Sequence, residues 1–396
     1  MNKVVVYWID LFCGAGGTTT GISQADANAT VVACVNHDEH AIACHTKNHP
    51  NCLHFTEDIT DFAVILKLKD LVKQLRRDTP NCVINIWASL ECTHFSKAKG
   101  GLSRDADSRT LAKHLFRYVK HLDPNYLYIE NVREFLSWGP LDDDGKPIKE
   151  LKGIDYNDWR DTLVRFGYNY DYDILNAADY GAHTSRERYF GIFSKAGLPI
   201  MFPKKTHGKK GTGLKPWKTV REVLDLTNHG RSIFGLTKMG KIYSVKTVRR
   251  IEHGFHKFSE EITLSGGEKR WILDTQFSNK GKLLDQPGQT LIARMDKKPL
   301  YLITTMTSGE DNSKILPTDS PDVVSIKTVM AEYGIVDVKI RELTIKELKA
   351  IQGFPDSFEL IGTMANKKKF IGNSVVPLVA KKLVESNFNS LLTLSA

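Results

Sequence analysis

Residues 3–17 read Lys3-Val4-Val5-Val6-Tyr7-Trp8-Ile9-Asp10-Leu11-Phe12-Cys13-Gly14-Ala15-Gly16-Gly17. The first ten are a near-continuous apolar run of strand length, the pattern of a strand buried on both faces. The small residues after Cys13 form a turn that lets a ligand approach the backbone, since glycine reaches φ values closed to other residues. Such a loop serves NAD, FAD or S-adenosylmethionine equally, or no ligand at all. Gly14 and Gly16 fit the first two positions of the dinucleotide pattern Gly-x-Gly-x-x-Gly, but Thr19 occupies the third, so a dinucleotide reading is weak.

Outward from this stretch, residues 31–35 make a second strand and residues 41–47 a helix. In residues 62–77, Phe62, Ile65, Leu66, Leu68, Leu71, Val72 and Leu75 recur among lysines at helical spacing. Residues 82–88 read as another buried strand. Asp107 is placed to cap a helix carrying Leu111, Leu115, Phe116, Val119 and Leu122, which Asp123-Pro124 ends. Residues 126–129 follow as a strand. This alternation predicts an α/β fold on a doubly wound, mostly parallel sheet. Ligands bind such sheets at the carboxyl ends of the strands. The segments at 13–17, 92 and 130 all follow strands, so they are expected to share one crevice. Cys92, in Ser89-Leu90-Glu91-Cys92-Thr93-His94-Phe95-Ser96, is the candidate nucleophile. A strand fixes the base of its loop, and the loop can close over a substrate. A lone free cysteine is more often a small core residue, so its neighbours decide the matter.

The 396 residues are 41% hydrophobic and 26% charged, as in a soluble globular protein with ample core. A run of 18 apolar residues is absent, and no signal peptide is expected. The six cysteines fall in the first quarter, which suggests reduced, cytoplasmic thiols rather than a secreted disulfide framework. The net charge of +9 favours a polyanionic partner. Near residue 200 the texture changes. Residues 203–218 hold six lysines among glycines and read as a flexible basic crossing. Segments from there to about 340 are short, without helical periodicity. From Arg341 a regular helix returns, with Ile345, Leu348 and Ile351 on one face. The expected organisation is residues 1–200, a smaller, irregular β-rich unit at 201–340, and a C-terminal segment, 341–396, that rejoins the first. Cys34, His37, His40, Cys44, His45, His49, Cys52 and His54 tempt a zinc reading, but they form no paired Cys-x-x-Cys units, so no metal is expected.

Several short motifs stand in a fixed order: residues 10–17, residues 92–96, Asp107-Ser108-Arg109-Thr110-Leu111, Glu130-Asn131-Val132 and Arg186-Glu187-Arg188. Then come Arg341-Glu342-Leu343-Thr344, Gln352-Gly353-Phe354-Pro355 and Gly372-Asn373-Ser374-Val375-Val376-Pro377. In these the chain resembles the DNA cytosine-C5 methyltransferase family, from about residue 5 to residue 385. The resemblance implies a Rossmann-like fold that binds S-adenosylmethionine, a target-recognition domain at 201–340, and duplex DNA as substrate with the target cytosine flipped out. It implies that the Cys92 thiolate adds to C6, which makes C5 enamine-like and nucleophilic. Glu130 would hold N3 and the exocyclic amine, and Arg188 the C2 carbonyl, with Arg186 and Asn131 in support. Phe12, Cys13, Gly14, Ala15, Gly16, Asn36, His37, Asp58, Ile59, Ser89, Leu111, Asn373 and Val375 would line the cofactor pocket.

The chain departs from the family pattern at four places. Glu91-Cys92-Thr93 replaces the usual Pro-Cys-Gln, which loses stiffness and sets a carboxylate beside the thiol. That raises the thiol pKa unless His94, Lys97 or Lys99 offsets it. His183-Thr184 replaces Pro-Gln, Asn36 aligns with a ribose-binding glutamate, and Phe370 aligns with a glutamine. A monomeric bacterial or phage enzyme of a restriction-modification system is expected, with any cognate endonuclease a separate protein. The competing readings are an RNA-directed relative, whose Cys-Phe-Thr tripeptide is absent here, an altered or inactive DNA-binding relative, and an enzyme acting on an already modified cytosine.

Overall fold

The computed structural model describes residues 4–90, 106–275 and 281–394. In chain order the first half runs β1 (Val6–Leu11), α1 (Gly17–Ser23), β2 (Ala29–Val35), α2 (Glu39–Asn48), β3 (Leu53–Phe55), α3 (Phe62–Asp78) and β4 (Val83–Ser89). It continues with α4 (Ala106–Leu122), β5 (Tyr126–Asn131), α5 (Ile154–Arg165), β6 (Tyr168–Asn176) and β7 (Glu187–Lys195). The seven strands make one sheet in the order β3-β2-β1-β4-β5-β7-β6. All neighbouring pairs are parallel up to β5, and β7 runs antiparallel to both β5 and β6. The strand order reverses between β1 and β4, where doubly wound sheets open a crevice at their carboxyl ends.

The sheet is covered on both faces, which is why its strands read as unbroken apolar runs. One face buries Ile9, Ile86 and Ile129 against Leu68 and Val72 of α3, Leu115 and Val119 of α4, and Trp159 of α5. The other buries Trp8, Val31 and Trp87 against Ile22 of α1 and a helix from the C-terminal segment, described below. The expected strand at 3–12 ends at Leu11 because Phe12 turns into the left-handed region, with φ of 59°.

The second half opens with the short parallel pair β8 (His207–Gly208) and β9 (Lys215–Pro216). The basic crossing is therefore hydrogen-bonded structure. Trp217 Nε1 and Lys205 Nζ both reach the carboxylate of Asp179, at 2.9 and 2.8 Å. Next come β10 (Arg231–Ser232), α6 (Val245–Lys257), α7 (Ser259–Leu264), β11 (Arg270–Asp274), β12 (Lys282–Leu283), β13 (Leu300–Met306), α8 (Pro321–Glu332) and β14 (Asp337–Glu342). These strands form an antiparallel sheet, β10-β14-β13-β11-β12.

The expectation that this stretch lacks helical periodicity is corrected. In α6, Val248, Ile251 and Phe255 fall on one face between basic residues, and Ser244 caps the helix. In α8, Ser320 and Pro321 start a helix that buries Ile326, Val329 and Met330 on the same side of the sheet. The sheet's alternate residues, Ile272 and Leu302, pack instead with Leu348, Ile351 and Ile371. Those belong to α9 (Ile345–Gln352) and α10 (Met364–Asn373); α11 (Pro377–Leu394) follows and lays Val379, Leu383 and Phe388 on the first sheet. Among the described residues no helix is long and apolar enough to cross a membrane.

Candidate active site

The carboxyl ends of β1, β4 and β5 carry the candidate residues to one edge of the first sheet. After β1 the backbone folds tightly: Gly16 N donates to Cys13 O at 3.1 Å, with Gly14 and Gly16 at φ of 51° and 107°. Cys13 N is held by Val35 O at 3.2 Å, and its side chain is buried. A side chain added at Gly14 would meet nothing within 4 Å, so the space over this part of the loop is open. A methyl group at Gly17 would instead lie 1.8 Å from Ser374 Oγ and 2.7 Å from Val375 O. This close approach seats the C-terminal Gly372–Pro377 motif against the glycine loop, with Val375 buried and Asn373 exposed.

The flanking strands bring the remaining cofactor candidates. Asn36 follows β2, and its Oδ1 accepts from Asp38 N at 2.8 Å. Asp38 is occupied elsewhere: it caps α2 and pairs with Lys369 at 2.7 Å. His37 sits beside Asp58, whose carboxyl is held below its usual range by hydrogen bonds from Thr60, with His37 adding to the effect. Ile59 is buried, and its carbonyl accepts from Tyr118 Oη at 2.9 Å. Leu111 is half-buried against the core, as is Phe12. Ala15 packs with Ala41, Cys44 and Phe370. The aromatic ring at Phe370 thus fills an apolar niche under the loop.

Ser89 closes β4 and accepts from Trp87 Nε1 at 3.1 Å. It pairs across the sheet with Glu130, and Leu90 N then donates to Glu130 O at 3.2 Å. Cys92 and its neighbours Glu91, Thr93, His94, Lys97 and Lys99 lie outside the described residues. Glu130, next to last in β5, is 6% exposed, and its carboxylate lies 3.2 Å from Arg188 Nε. Burial pushes this carboxyl up, and Arg188 and Arg186 pull it back only in part. Asn131 Oδ1 accepts from Val132 N at 2.7 Å, while its Nδ2 is buried without a hydrogen-bond partner.

The two arginines sit differently: Arg188 lies within β7, and Arg186 just before it. Arg186 Nη1 donates to Leu291 O at 3.0 Å. The segment before it is strapped to residues 288–291 by Ser185 N to Gly288 O at 2.8 Å and Thr184 Oγ1 to Gln289 O at 3.0 Å. His183 Nδ1 meets Thr219 O at 2.9 Å. Of the residues that depart from the family pattern, Thr184 thus binds the strap with its side chain, and His183 accepts from Gly288 N through its carbonyl at 2.7 Å while its ring turns to Thr219. The motif Arg341-Glu342-Leu343-Thr344 is likewise structural, since Arg341 makes a buried pair with Glu347.

Sequence reasoning passed over one buried group. Thr19 donates to Asp10 Oδ2 at 2.8 Å and contacts His45 Nε2 at 2.9 Å. Its place in the glycine pattern was visible; its partners were not. Burial, opposed by the Thr19 hydrogen bonds, lifts the Asp10 carboxyl to about 7.

Comparison with known proteins agrees with this arrangement. The family model for C-5 cytosine-specific DNA methylases matches residues 6–389. The type II methyltransferase M.Sau3AI of Staphylococcus aureus is 23% identical, with 96% of this chain and 95% of that one aligned. The type II methyltransferase M1.HphI of Haemophilus parahaemolyticus is 25% identical, with 98% and 89% aligned. Among solved structures, the Entamoeba histolytica methyltransferase EhMeth superposes with a TM-score of 0.58 at 16% identity, covering 98% of this chain and 99% of that one. A Spodoptera frugiperda DNMT2 variant gives 0.59 at 17%, covering 96% and 99%. These two likenesses concern the fold alone. With the family model spanning nearly its whole length, the chain belongs to the C-5 cytosine-specific DNA methylase family and is a DNA cytosine-5 methyltransferase.

Proposed function

We propose that the chain methylates C5 of a cytosine at a specific duplex site in a restriction-modification setting, through a covalent adduct between Cys92 and C6 of a flipped-out base. The observation that carries the reading is the pairing of β4 with β5. It ties Leu90, two residues before Cys92, to the backbone of Glu130, whose buried carboxylate meets Arg188. The names of the type II relatives support the restriction-modification setting.

The residues after β1 to β4 suit S-adenosylmethionine: the turn is open above Gly14, and Asn36 and Asp58 stand at adjacent strand ends. When bound, S-adenosylmethionine supplies an electrophilic methyl group. Phe12, Cys13, Ala15, Gly16, His37, Ile59, Ser89, Leu111, Asn373 and Val375 complete the proposed wall. The Cys92 thiolate adds to C6 and passes electron density to C5. Glu130, its carboxyl raised by burial, holds a proton for N3 as charge develops there. Arg188 orients that carboxylate and reaches the C2 carbonyl, Arg186 stiffens the segment through the strap, and Asn131 offers its unpartnered amide. Loss of the C5 proton to a base then allows the Cys92 sulfur to leave. Residues 201–340 form the proposed target-recognition domain. The six lysines of residues 203–218 are exposed and suited to neutralising phosphates, while side chains of this unit read base edges.

The test begins with bisulfite sequencing of DNA from cells expressing the chain, which should reveal 5-methylcytosine at one sequence. Duplexes carrying 5-fluorocytosine at that position should then trap the protein covalently when S-adenosylmethionine is present, and Cys92→Ser should abolish the adduct. A methylated site without any Cys92-dependent adduct would overturn the mechanism.

A further inference from the structure

Four metal-ligand side chains that the methylation chemistry does not use converge beneath the glycine loop. Cys34, His45, Cys52 and His54 each offer one ligand atom, a thiol sulfur or a ring nitrogen, and these four atoms lie within 4.8 Å of one another. We infer that Cys34, His45, Cys52 and His54 form a closed, structural zinc site that braces the cofactor loop from below.

The fold assembles the four from a single β–α–β unit. Cys34 and His54 are register partners across β2 and β3. Cys52 lies immediately before β3, two residues before His54. His45 comes from α2, the crossover between those strands. The distances suit one shared ion. Zinc bonds of about 2.3 Å to sulfur and about 2.0–2.1 Å to nitrogen put tetrahedral ligand atoms roughly 3.5 Å apart. Cys34 Sγ and His45 Nδ1 are 3.6 Å apart, and the facing imidazole nitrogens of His45 and His54 are 3.0 Å apart.

The groups behind the ligands turn them inward. When Asp10 is ionised, Thr19 donates its hydroxyl proton to it and accepts from His45 Nε2–H, the tautomer whose Nδ1 lone pair faces the cluster. A carboxylate acting through a hydrogen bond commonly fixes metal-bound histidine in this way. The two thiols are free and buried. Zinc binding forms two Zn–S and two Zn–N bonds and releases the two thiol protons to solvent, so the divalent charge is cancelled by two thiolates. Two sulfur and two nitrogen ligands fill a tetrahedral shell with no open position, the mark of a structural zinc site.

Such an ion would act on the cofactor loop directly. A methyl group at Gly16 would lie 3.2 Å from His45 Cδ2, so the ring packs against the turn itself. The spacing argument against metal fails here because the ligands pair across strands, not within a Cys-x-x-Cys turn.

The experiment uses the untagged full chain. Elemental analysis after exhaustive dialysis should find stoichiometric zinc. Exchange with cobalt(II) should produce the visible ligand-field and sulfur-to-cobalt bands of a tetrahedral thiolate site. The variant Cys34→Ser/Cys52→Ser should lose both signals, whereas Cys82→Ser, at a buried thiol elsewhere, should keep them. If the double variant does not fold, the cobalt spectrum of the unaltered chain decides. The inference is overturned by protein that takes up neither ion, by a Cys34–Cys52 disulfide in mass spectra, or by metal content unchanged in the double variant. None of these readouts involves methylation, so their failure leaves the Cys92 mechanism standing.

Discussion

Replacing Arg341 with leucine should unlock the junction between the second sheet and the helices that follow it. Arg341 and Glu347 are 8% and 4% exposed. They pair in bidentate fashion, Nη2 to Oε1 at 2.6 Å and Nη1 to Oε2 at 2.9 Å. Arg341 also donates to Asn228 O at 2.7 Å and Asp225 O at 2.6 Å. Glu347 accepts further from Asp225 N at 2.9 Å and Thr344 N at 2.8 Å. Arg341→Leu leaves a buried carboxylate with neutral donors only, and it orphans two carbonyls. Breaking a buried pair from one side costs about 3–5 kcal/mol, a large share of the roughly 5–15 kcal/mol that holds a native protein folded. The double change Arg341→Leu/Glu347→Leu should recover much of that loss, because apolar replacement of a whole pair is often close to neutral.

The pH dependence gives a second signature of the same pair. Burial raises the Glu347 carboxyl, but its hydrogen bonds to Arg341 and the nearby backbone outweigh that and hold it below its ordinary 4.5. The pair's contribution is therefore present above the ordinary value and lost as pH falls through the folded one. In Arg341→Leu burial prevails and the carboxyl rises, so that variant should gain stability on acidification where the parent loses it. Urea unfolding followed by tryptophan fluorescence, from well below the ordinary carboxyl value of 4.5 up to neutral pH, measures both effects. A loss below about 1 kcal/mol, the range of an exposed pair, with an unchanged pH slope would refute the reasoning.

Other predictions concern the catalytic edge. Glu130→Gln should lower kcat by about 10²- to 10⁴-fold with little change in DNA affinity. Because burial raises the Glu130 carboxyl, its protonated form is lost as pH rises through the folded pKa, so kcat should fall along that limb. Single-turnover rates that keep this limb in Glu130→Gln would assign it to another group. Gly17→Ala drives a methyl into Ser374 Oγ and Val375 O and should cost about 1–3 kcal/mol. Adding Ser374→Gly should restore part of this, and a melting temperature unmoved by Gly17→Ala would sink the packing argument. Glu91→Pro should lower the Cys92 thiol pKa by removing the adjacent carboxylate, read as the pH midpoint of alkylation at Cys92. A midpoint that stays put would mean that the carboxylate is already neutralised.

Much of the first sheet was legible because a strand buried on both faces must be apolar throughout, and its crossover helices must be apolar along one stripe. The strands at 31–35 and 82–88 and the helix at 62–77 came from that periodicity alone, and each was located to within a few residues. The helices α6 and α8 were not legible. In α6 the apolar residues are few and sit among charges, and in α8 they spread round much of the helix rather than along one stripe, so each pattern acquires meaning only against the sheet it covers. The glycine loop and the motif order were likewise local properties of the chain.

Composition and periodicity by themselves settled the α/β class and the turn after β1. What tertiary structure alone decided is which strand ends meet. The reversal of β7 between β5 and β6 brings Arg188 to Glu130, and the strap from residues 288–291 reaches Arg186 across 105 positions. The pairing of β2 with β3 gathers two cysteines and two histidines whose spacing argued against a metal. Periodicity records which face of an element must leave water, a property of neighbours along the chain. It carries no information about which distant element covers that face, and that choice is made by packing and hydrogen bonding in the folded molecule.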